Sequence, residues 1–335
     1  MVVFMMKLWH ERHKILIAGA YGTGNLGDEA ILQGLLKIMR TNNLLVFSRD
    51  PAETTRMHMV RAKRRNILDV LRAEKLLIGG GELFQDNMAW KYALLAITSK
   101  ILRKQVTVYA VGVSHLSNTI ERIFTRICLN LVDEISVRDP DSKNRLLDMG
   151  IIKVIDVVDD PSINVASALY TEVSEIFNRE CISKSNFLIG VTLRYTRNNK
   201  INKILINFFT KYFKDIIEQY INVQILFLVF SKHRDSKLDR DDAFGRDLAS
   251  SLNDERFKII DSIDAPSQML AVIAHTDFFI SARLHPLIFA SRANIPRVGI
   301  ALYPKIESFS ISYGFTAVGL ESLEDLYEIF KGAIG

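Results

Sequence analysis

Two cysteines, Cys128 and Cys181, are all that 335 residues contain. That scarcity excludes a disulfide framework and a thiolate zinc cluster, and it suits a reducing compartment. No apolar run approaches the roughly 18 residues that a membrane-spanning helix needs. Charge of one sign is also scarce. Lys and Arg number 43 against 38 Asp and Glu, a formal +5. So mild an excess suits small anionic substrates and does not by itself argue for nucleic acid. Low-complexity tracts and short repeats are absent. The opening residues, MVVFMMKLWHERHK, hold a short apolar patch without a leading charge or a small-residue cleavage site. A ragged N-terminal extension is expected there rather than a signal peptide, with a membrane-proximal patch as the alternative.

The content is that of a globular protein, 48% hydrophobic and 24% charged. Its length suits two domains of roughly 150 residues. Residues 14–20, 44–48, 75–81, 106–113 and 134–139 read as strands, with helical spacing over 28–40 and 88–103. Strands that are nearly all apolar, separated by helices, indicate a parallel sheet covered on both faces. After a connection-like stretch over 151–180 the pattern restarts. Strands are expected at 186–194, 223–230, 277–282 and 296–302, and helices at 201–220, 267–276, 286–294 and 321–332. The division is therefore residues 1–165, 166–320 and a C-terminal helix over 321–335. In open α/β sheets ligands bind beyond the carboxyl ends of the strands, so residues that follow strands are the candidates.

Five constellations occupy such places. GAYGTGNLGDEAIL (19–32) places Gly22, Gly24 and Gly27 in G-x-G-x-x-G spacing between a strand and a helix, with Asp50 after the second strand. The spacing fits a dinucleotide fingerprint. Asp28 and Glu29 argue against it, because carboxylates at the helix start would repel a diphosphate. A substrate-lining loop, or a structural turn capped by Asn25, fits better. GGGELFQD (79–86) exposes backbone at Gly80 and Gly81 and offers Gln85 and Asp86 to a sugar. Arg138 in SVRDPDS (136–142) can fork onto carboxylate or phosphate, or pair locally with Asp139 or Asp141. Arg194 ends GVTLR in the same manner. SARLHPLIFA (281–290) sets Arg283 and His285 at a helix start, and Lys305 follows in LYPKIESF (302–309). One interdomain cleft collecting Arg138, Arg194, Arg283, Lys305 and His285 would suit a small, densely anionic substrate. The basic run over 56–66 lacks aromatic interleaving, so a solvated helix face is expected, with attraction to anionic lipid as the alternative. Residues 231–242 read as a loop without a metal set.

Taken in order, GAYGTGNLGDEAIL, LLIGGGELFQD, ISVRDPDS, VVDDPS, GVTLR and SARLHPLIFA with a following Pro-Lys resemble the polysaccharide pyruvyl transferases over residues 14–315. The resemblance implies two Rossmann-like domains with parallel sheets facing a central cleft, a GT-B-like α/β architecture. It also implies transfer of a pyruvyl group from phosphoenolpyruvate onto a sugar as a cyclic ketal. By position, Arg138, His285 and Lys305 look like the donor-binding and acid/base set. Arg194 and Arg283 match family arginines. Where the family often reads Y-D-P-K, this chain has Leu302-Tyr303-Pro304-Lys305, and Pro286 follows His285.

On this reading the arginine and lysine charges offset the donor's carboxylate and phosphate. His285 serves as general acid/base. Gly24, Asn25, Asp28, Gly80, Gly81, Gln85 and Asp86 line the acceptor side. No metal or cofactor is implied beyond phosphoenolpyruvate as donor. The acceptor is a sugar or lipid-linked oligosaccharide, and no nucleic acid is expected. The location is cytoplasmic, with peripheral contact at the inner face of the membrane and homo-oligomerisation left open. Rival readings are a nucleotide-sugar glycosyltransferase, a dinucleotide-dependent oxidoreductase and a sugar-binding member with a decayed site.

Overall fold

The computed structural model describes residues 13–39, 43–233, 238 and 240–334. The expected N-terminal extension therefore lies outside the described residues up to residue 12, as does part of the loop read over 231–242. The chain divides into two compact units. The first runs to Thr23 and resumes over Asp28–Asn164; the second takes Gly24–Gly27 and everything from Val165.

Alternation along the strands builds the first unit. Its elements are β1 (His13–Ala18), α1 (Leu26–Ile38), β2 (Leu44–Phe47), α2 (Pro51–His58), β3 (Arg61–Lys63), α3 (Ile67–Arg72) and β4 (Ala73–Gly79). They continue as α4 (Ala89–Ile101), β5 (Gln105–Val111), α5 (Thr119–Leu131), β6 (Glu134–Val137), α6 (Pro140–Met149) and β7 (Ile155–Val157). All seven strands are parallel, in the order β3-β2-β1-β4-β5-β6-β7. Leu16, Leu45, Leu76 and Ile78 pack into one core, and Ile17, Val46 and Leu77 into another. A strand whose odd and even residues are both apolar must be covered on both faces, which is how these sequences read.

The second unit repeats the scheme with α7 (Tyr170–Arg179), β8 (Phe187–Thr192), α8 (Asn199–Gln219), β9 (Val223–Leu228), α9 (Asp241–Leu252), β10 (Phe257–Ile260) and α10 (Pro266–Ile273). It closes with β11 (Phe278–Ser281), α11 (Leu284–Arg292), β12 (Arg297–Ile300), α12 (Pro304–Tyr313), β13 (Thr316–Val318) and α13 (Asp325–Ile334). Six parallel strands run β10-β9-β8-β11-β12-β13. The amphipathic face of α8 sends Phe209, Tyr212 and Phe213 into this core, where α13 adds Leu326 and Phe330.

Several expectations need correction. The basic run over 56–66 is not one helix face. Helix α2 ends at His58, Met59 takes a left-handed conformation, and Arg61–Lys63 form the edge strand β3. The connection over 151–180 holds β7, a 3-10 turn at Pro161–Asn164 and helix α7. From Asp241 the segment read as loop is already helix α9. Short edge strands carry too few residues to show a period, and that is why they escaped.

Candidate functional site

In the first unit the glycine-rich turn after β1 is held by its own carboxylate. Gly22 has φ +72°. Its N–H donates to Glu29 Oε1 at 2.7 Å, and Glu29 Oε2 meets His58 Nε2 at 2.7 Å. A carboxylate thus fills the place where a dinucleotide's diphosphate would dock, against the fingerprint reading. Asp50, at the matching fingerprint spacing, caps α2 by accepting from Glu53 N–H at 3.0 Å. Tyr21 crosses to donate to the Gly79 carbonyl at 2.6 Å. Its burial, with Tyr92, Asp28, Glu29 and Asp160 around it, holds its hydroxyl well above the ordinary tyrosine value.

Beyond β4 and β6 the predicted residues separate into two groups. Asp28 approaches the Gly80-Gly81 turn so closely that a Cβ on Gly81 would lie 3.1 Å from Asp28 Oδ1. Arg138, just past β6, is buried and donates from Nη1 to Asp160 Oδ2 at 3.0 Å. Asp160 Oδ1 accepts from Ser162 N–H at 3.0 Å. Burial works against the guanidinium's charge. Asp160, Glu82 and Asp139 outweigh it and hold Arg138 above the ordinary arginine value. The ion partner is therefore Asp160, not Asp139 or Asp141. Asp139 instead caps α6, accepting from Ser142 N–H at 2.7 Å. Gln85 and Asp86 turn back onto their own surroundings. Gln85 Nε2 donates to the Glu82 carbonyl at 3.0 Å, and Asp86 accepts from Ser117 N–H at 2.9 Å. Hydrogen bonds from Ser117 hold the Asp86 carboxyl below the ordinary value.

In the second unit, Gly24–Gly27 lie along the end of β9. Lys232 N–H donates to the Gly24 carbonyl at 2.8 Å, and Leu26 N–H donates to the Phe230 carbonyl at 3.0 Å. Asn25 Oδ1 accepts from Gly27 N–H at 3.0 Å and caps the start of α1. His285, in the first turn of α11, presses its ring on Gly27: a Cβ there would fall 3.0 Å from Cε1 and collide with Nδ1. Arg283 just before α11 reaches Asp241 Oδ1 through Nε at 2.8 Å and Nη2 at 2.6 Å. Asp241 is fully buried, and its other oxygen accepts from Phe230 and Ser231 N–H groups at 3.1 and 2.9 Å. Burial raises the Asp241 carboxyl, against the pull of Arg283 and Arg194. Tyr303 carries two cations on its ring. The Arg194 guanidinium lies 5.9 Å and Lys305 Nζ 5.7 Å from its centroid.

Unit 2 therefore brings Arg194, Arg283, His285, Tyr303 and Lys305 to the carboxyl side of its strands, as their sequence positions imply. Asp160 and Asp241 were missed as partners. Asp160 lay in view within VVDDPS, but nothing local links it to Arg138. A separate cavity of about 530 Å³ opens at the opposite, amino end of this sheet, lined by Lys184, Asn222, His275 and Asp277 among others. It holds none of the motif residues. Among the described residues no cluster of three or more His, Cys, Asp or Glu is disposed to hold a metal ion. No helix there is long and apolar enough to cross a membrane.

The fold has solved counterparts. The UDP-bound Staphylococcus aureus MnaA structure superposes with a TM-score of 0.64 at 12% identity, covering 96% of this chain and 88% of that one. The UDP-GlcNAc 2-epimerase of Methanocaldococcus jannaschii gives 0.63 at 15% identity, covering 95% and 92%. Anabaena Alr3699/HepE in complex with UDP-glucose gives 0.61 at 14% identity, covering 96% and 90%. At such identities the likeness establishes the architecture alone, two Rossmann-like domains of GT-B-like kind. No curated protein matches the sequence. The family model for polysaccharide pyruvyl transferases matches residues 25–302, well over half the chain, and the chain belongs to that family.

Proposed function

We propose that the chain moves the pyruvyl group of phosphoenolpyruvate onto a sugar of a cell-surface polysaccharide or its lipid-linked precursor, forming a cyclic ketal and releasing phosphate. The family match over residues 25–302 carries this reading. The chemistry balances on donor and acceptor alone. Protonation at C3 makes C2 electrophilic. One acceptor hydroxyl bonds to C2, the bond from C2 to the phosphate oxygen breaks, and a second hydroxyl closes the ketal. Of the two hydroxyl protons, one replaces the proton given to C3 and the other leaves with phosphate.

In this reading Arg138 and Lys305 hold the donor's carboxylate and phosphate, where a planar fork and a point charge do different work. His285 moves the protons, since imidazole exchanges them near neutral pH. Arg194 and Arg283 add positive potential, the latter already oriented by Asp241. Asp28, Asn25 and the Gly80-Gly81 turn face the sugar. The expected location is the cytoplasm, at the membrane's inner face where the acceptor is lipid-linked.

The test is thermal stabilisation by phosphoenolpyruvate, with UDP-glucose and NAD as controls. A ligand that binds only the folded state raises its melting temperature. Phosphoenolpyruvate is expected to stabilise the wild type and not Arg138→Ala or Lys305→Ala. The Lys305 variant guards against misfolding, because Arg138 is buried. Stabilisation by UDP-glucose alone would replace this reading with nucleotide-sugar glycosyl transfer.

A further inference from the structure

The cavity of about 530 Å³ at the amino end of the second unit's sheet has no part in the motif chemistry. Its floor is the start of three neighbouring strands, β9, β8 and β11. Hydrogen bonds close that floor. Phe187 N–H donates to the Asn222 carbonyl at 2.8 Å, and Asp277 N–H donates to the Leu188 carbonyl at 2.8 Å. Leu188 N–H in turn donates to Asp277 Oδ2 at 2.7 Å. The fold leaves several side-chain groups over. Among the described residues, the Asn186 and Asn222 amides bond to no other group, and neither does Asp277 Oδ1. His275 donates from Nδ1 to the Ala271 carbonyl at 2.7 Å, and its ring packs 5.7 Å from that of Phe177, centroid to centroid. Its Nε2 is left for a ligand.

The charges in the cavity decide the kind of ligand. Lys184 lies against α7, where Nζ donates to the Tyr170 hydroxyl at 2.9 Å and sits 4.1 Å from the centre of that ring. Neither Lys184 nor Asp277 makes an ion pair among the described residues. Apart from His275, they are the only ionisable side chains lining the cavity. One ammonium and one carboxylate cancel. An anion would meet Asp277 and a cation would meet Lys184, so neither sign is favoured. The other polar groups are neutral, two primary amides and the Ser185 hydroxyl. An amide offers donors and an acceptor side by side, which matches hydroxyls on adjacent carbons. The half-buried Phe187 adds apolar surface for the C–H face of a pyranose. The volume falls within the range of about 300–1,000 Å³ usual for small-molecule sites. The family's acceptor is a polysaccharide, a chain able to touch the protein at more than one place.

We propose that this cavity is a second carbohydrate site, which holds a neutral sugar unit of the polysaccharide at the end of the sheet away from the motifs. It lies wholly within the second unit and does not rest on pyruvyl transfer. The test follows the side-chain amide signals of Asn186 and Asn222 by heteronuclear NMR of the full chain. Methyl pyranosides of glucose, galactose and mannose are titrated in, with inorganic phosphate and glycine as charged probes. At least one pyranoside should shift both signals saturably, and phosphate and glycine should not. Asn222→Ala should weaken binding of that sugar about two- to tenfold, and so should Asn186→Ala, each through a lost hydrogen bond. Neither side chain bonds to the fold, so both variants should melt as the wild type does. Amide signals unmoved by every pyranoside would overturn the proposal. So would saturation by phosphate or by glycine, which would make this an anion or zwitterion site. A sugar affinity that neither substitution changes would also overturn it.

Discussion

Arg138 and Asp160 form an ion pair at 3.0 Å whose side chains are 4% and 0% exposed. Two such groups are costly to bury singly and tolerable together. Asp160→Asn would keep the shape and remove the compensating charge. The folded state should lose about 3–5 kcal/mol, the range for breaking a buried pair from one side. Urea denaturation should show a lower midpoint with an unchanged slope. A midpoint within error of the wild type would mean that Glu82 and Asp139 suffice to balance Arg138.

Gly27 and His285 set a second constraint. Alanine is the better helix former, by about 1 kcal/mol, so helix propensity alone would favour Gly27→Ala. The added methyl would nevertheless collide with the imidazole. If His285 moves protons in the proposed transfer, displacing its ring should cost about 100-fold in kcat, as a misplacement near 1 Å does. Stabilisation by phosphoenolpyruvate should persist. NMR of the His285 ring resonances would show whether the ring has moved, and an unmoved ring with full activity would contradict the expectation.

These two relationships mark the boundary of what was legible. The inner strands of both sheets could be read because residues such as Leu16 and Ile17 are both apolar and pack into different cores, whereas the edge strands β3, β7, β10 and β13 could not. Arg138, Arg194 and Arg283 could be read because they follow apolar runs. Their partners could not. Asp160 is 22 residues from Arg138, and Asp241 is 42 from Arg283. Crossover connections set those distances, and no local period records them. The clasp of Glu29 on Gly22 was half visible, since its carboxylate spoke against a dinucleotide. Its partner His58 lay in a basic run whose strand β3 is three residues long.

Acid should weaken the second unit through Asp242. Arg240, and after it Arg246, hold its carboxyl at about 2 instead of 3.8. A depressed folded value stabilises above the unfolded value and is lost as the pH falls through the folded one. The contribution is therefore full above about pH 5 and is lost progressively until the pH falls to about 1. Its size is about 1–2 kcal/mol once the exposure of both arginines is allowed for. Asp242→Asn should lose that amount at neutral pH and show a flatter stability profile between these limits. Equal profiles for the two proteins would rule out this source of acid sensitivity.

Tyr303 stands where the family often has aspartate, and its ring lies beneath both Arg194 and Lys305. An aspartate would attract both cations with a full negative charge and reduce what they offer an anionic donor. An aromatic face attracts them more weakly, by about 0.5–1 kcal/mol at partly exposed sites, and leaves their charge available. Tyr303→Phe keeps the face and should change the affinity for phosphoenolpyruvate by less than about twofold. Tyr303→Leu removes it and should weaken binding by about two- to fivefold, through looser placement of Lys305. Tyr303→Asp should weaken donor binding further, because the carboxylate competes with the donor's own charges. Calorimetric titration of phosphoenolpyruvate into the three variants separates these effects. Tighter binding by the aspartate variant would mean that its positioning of the cations outweighs the competition, and that the tyrosine is a loss rather than a substitute.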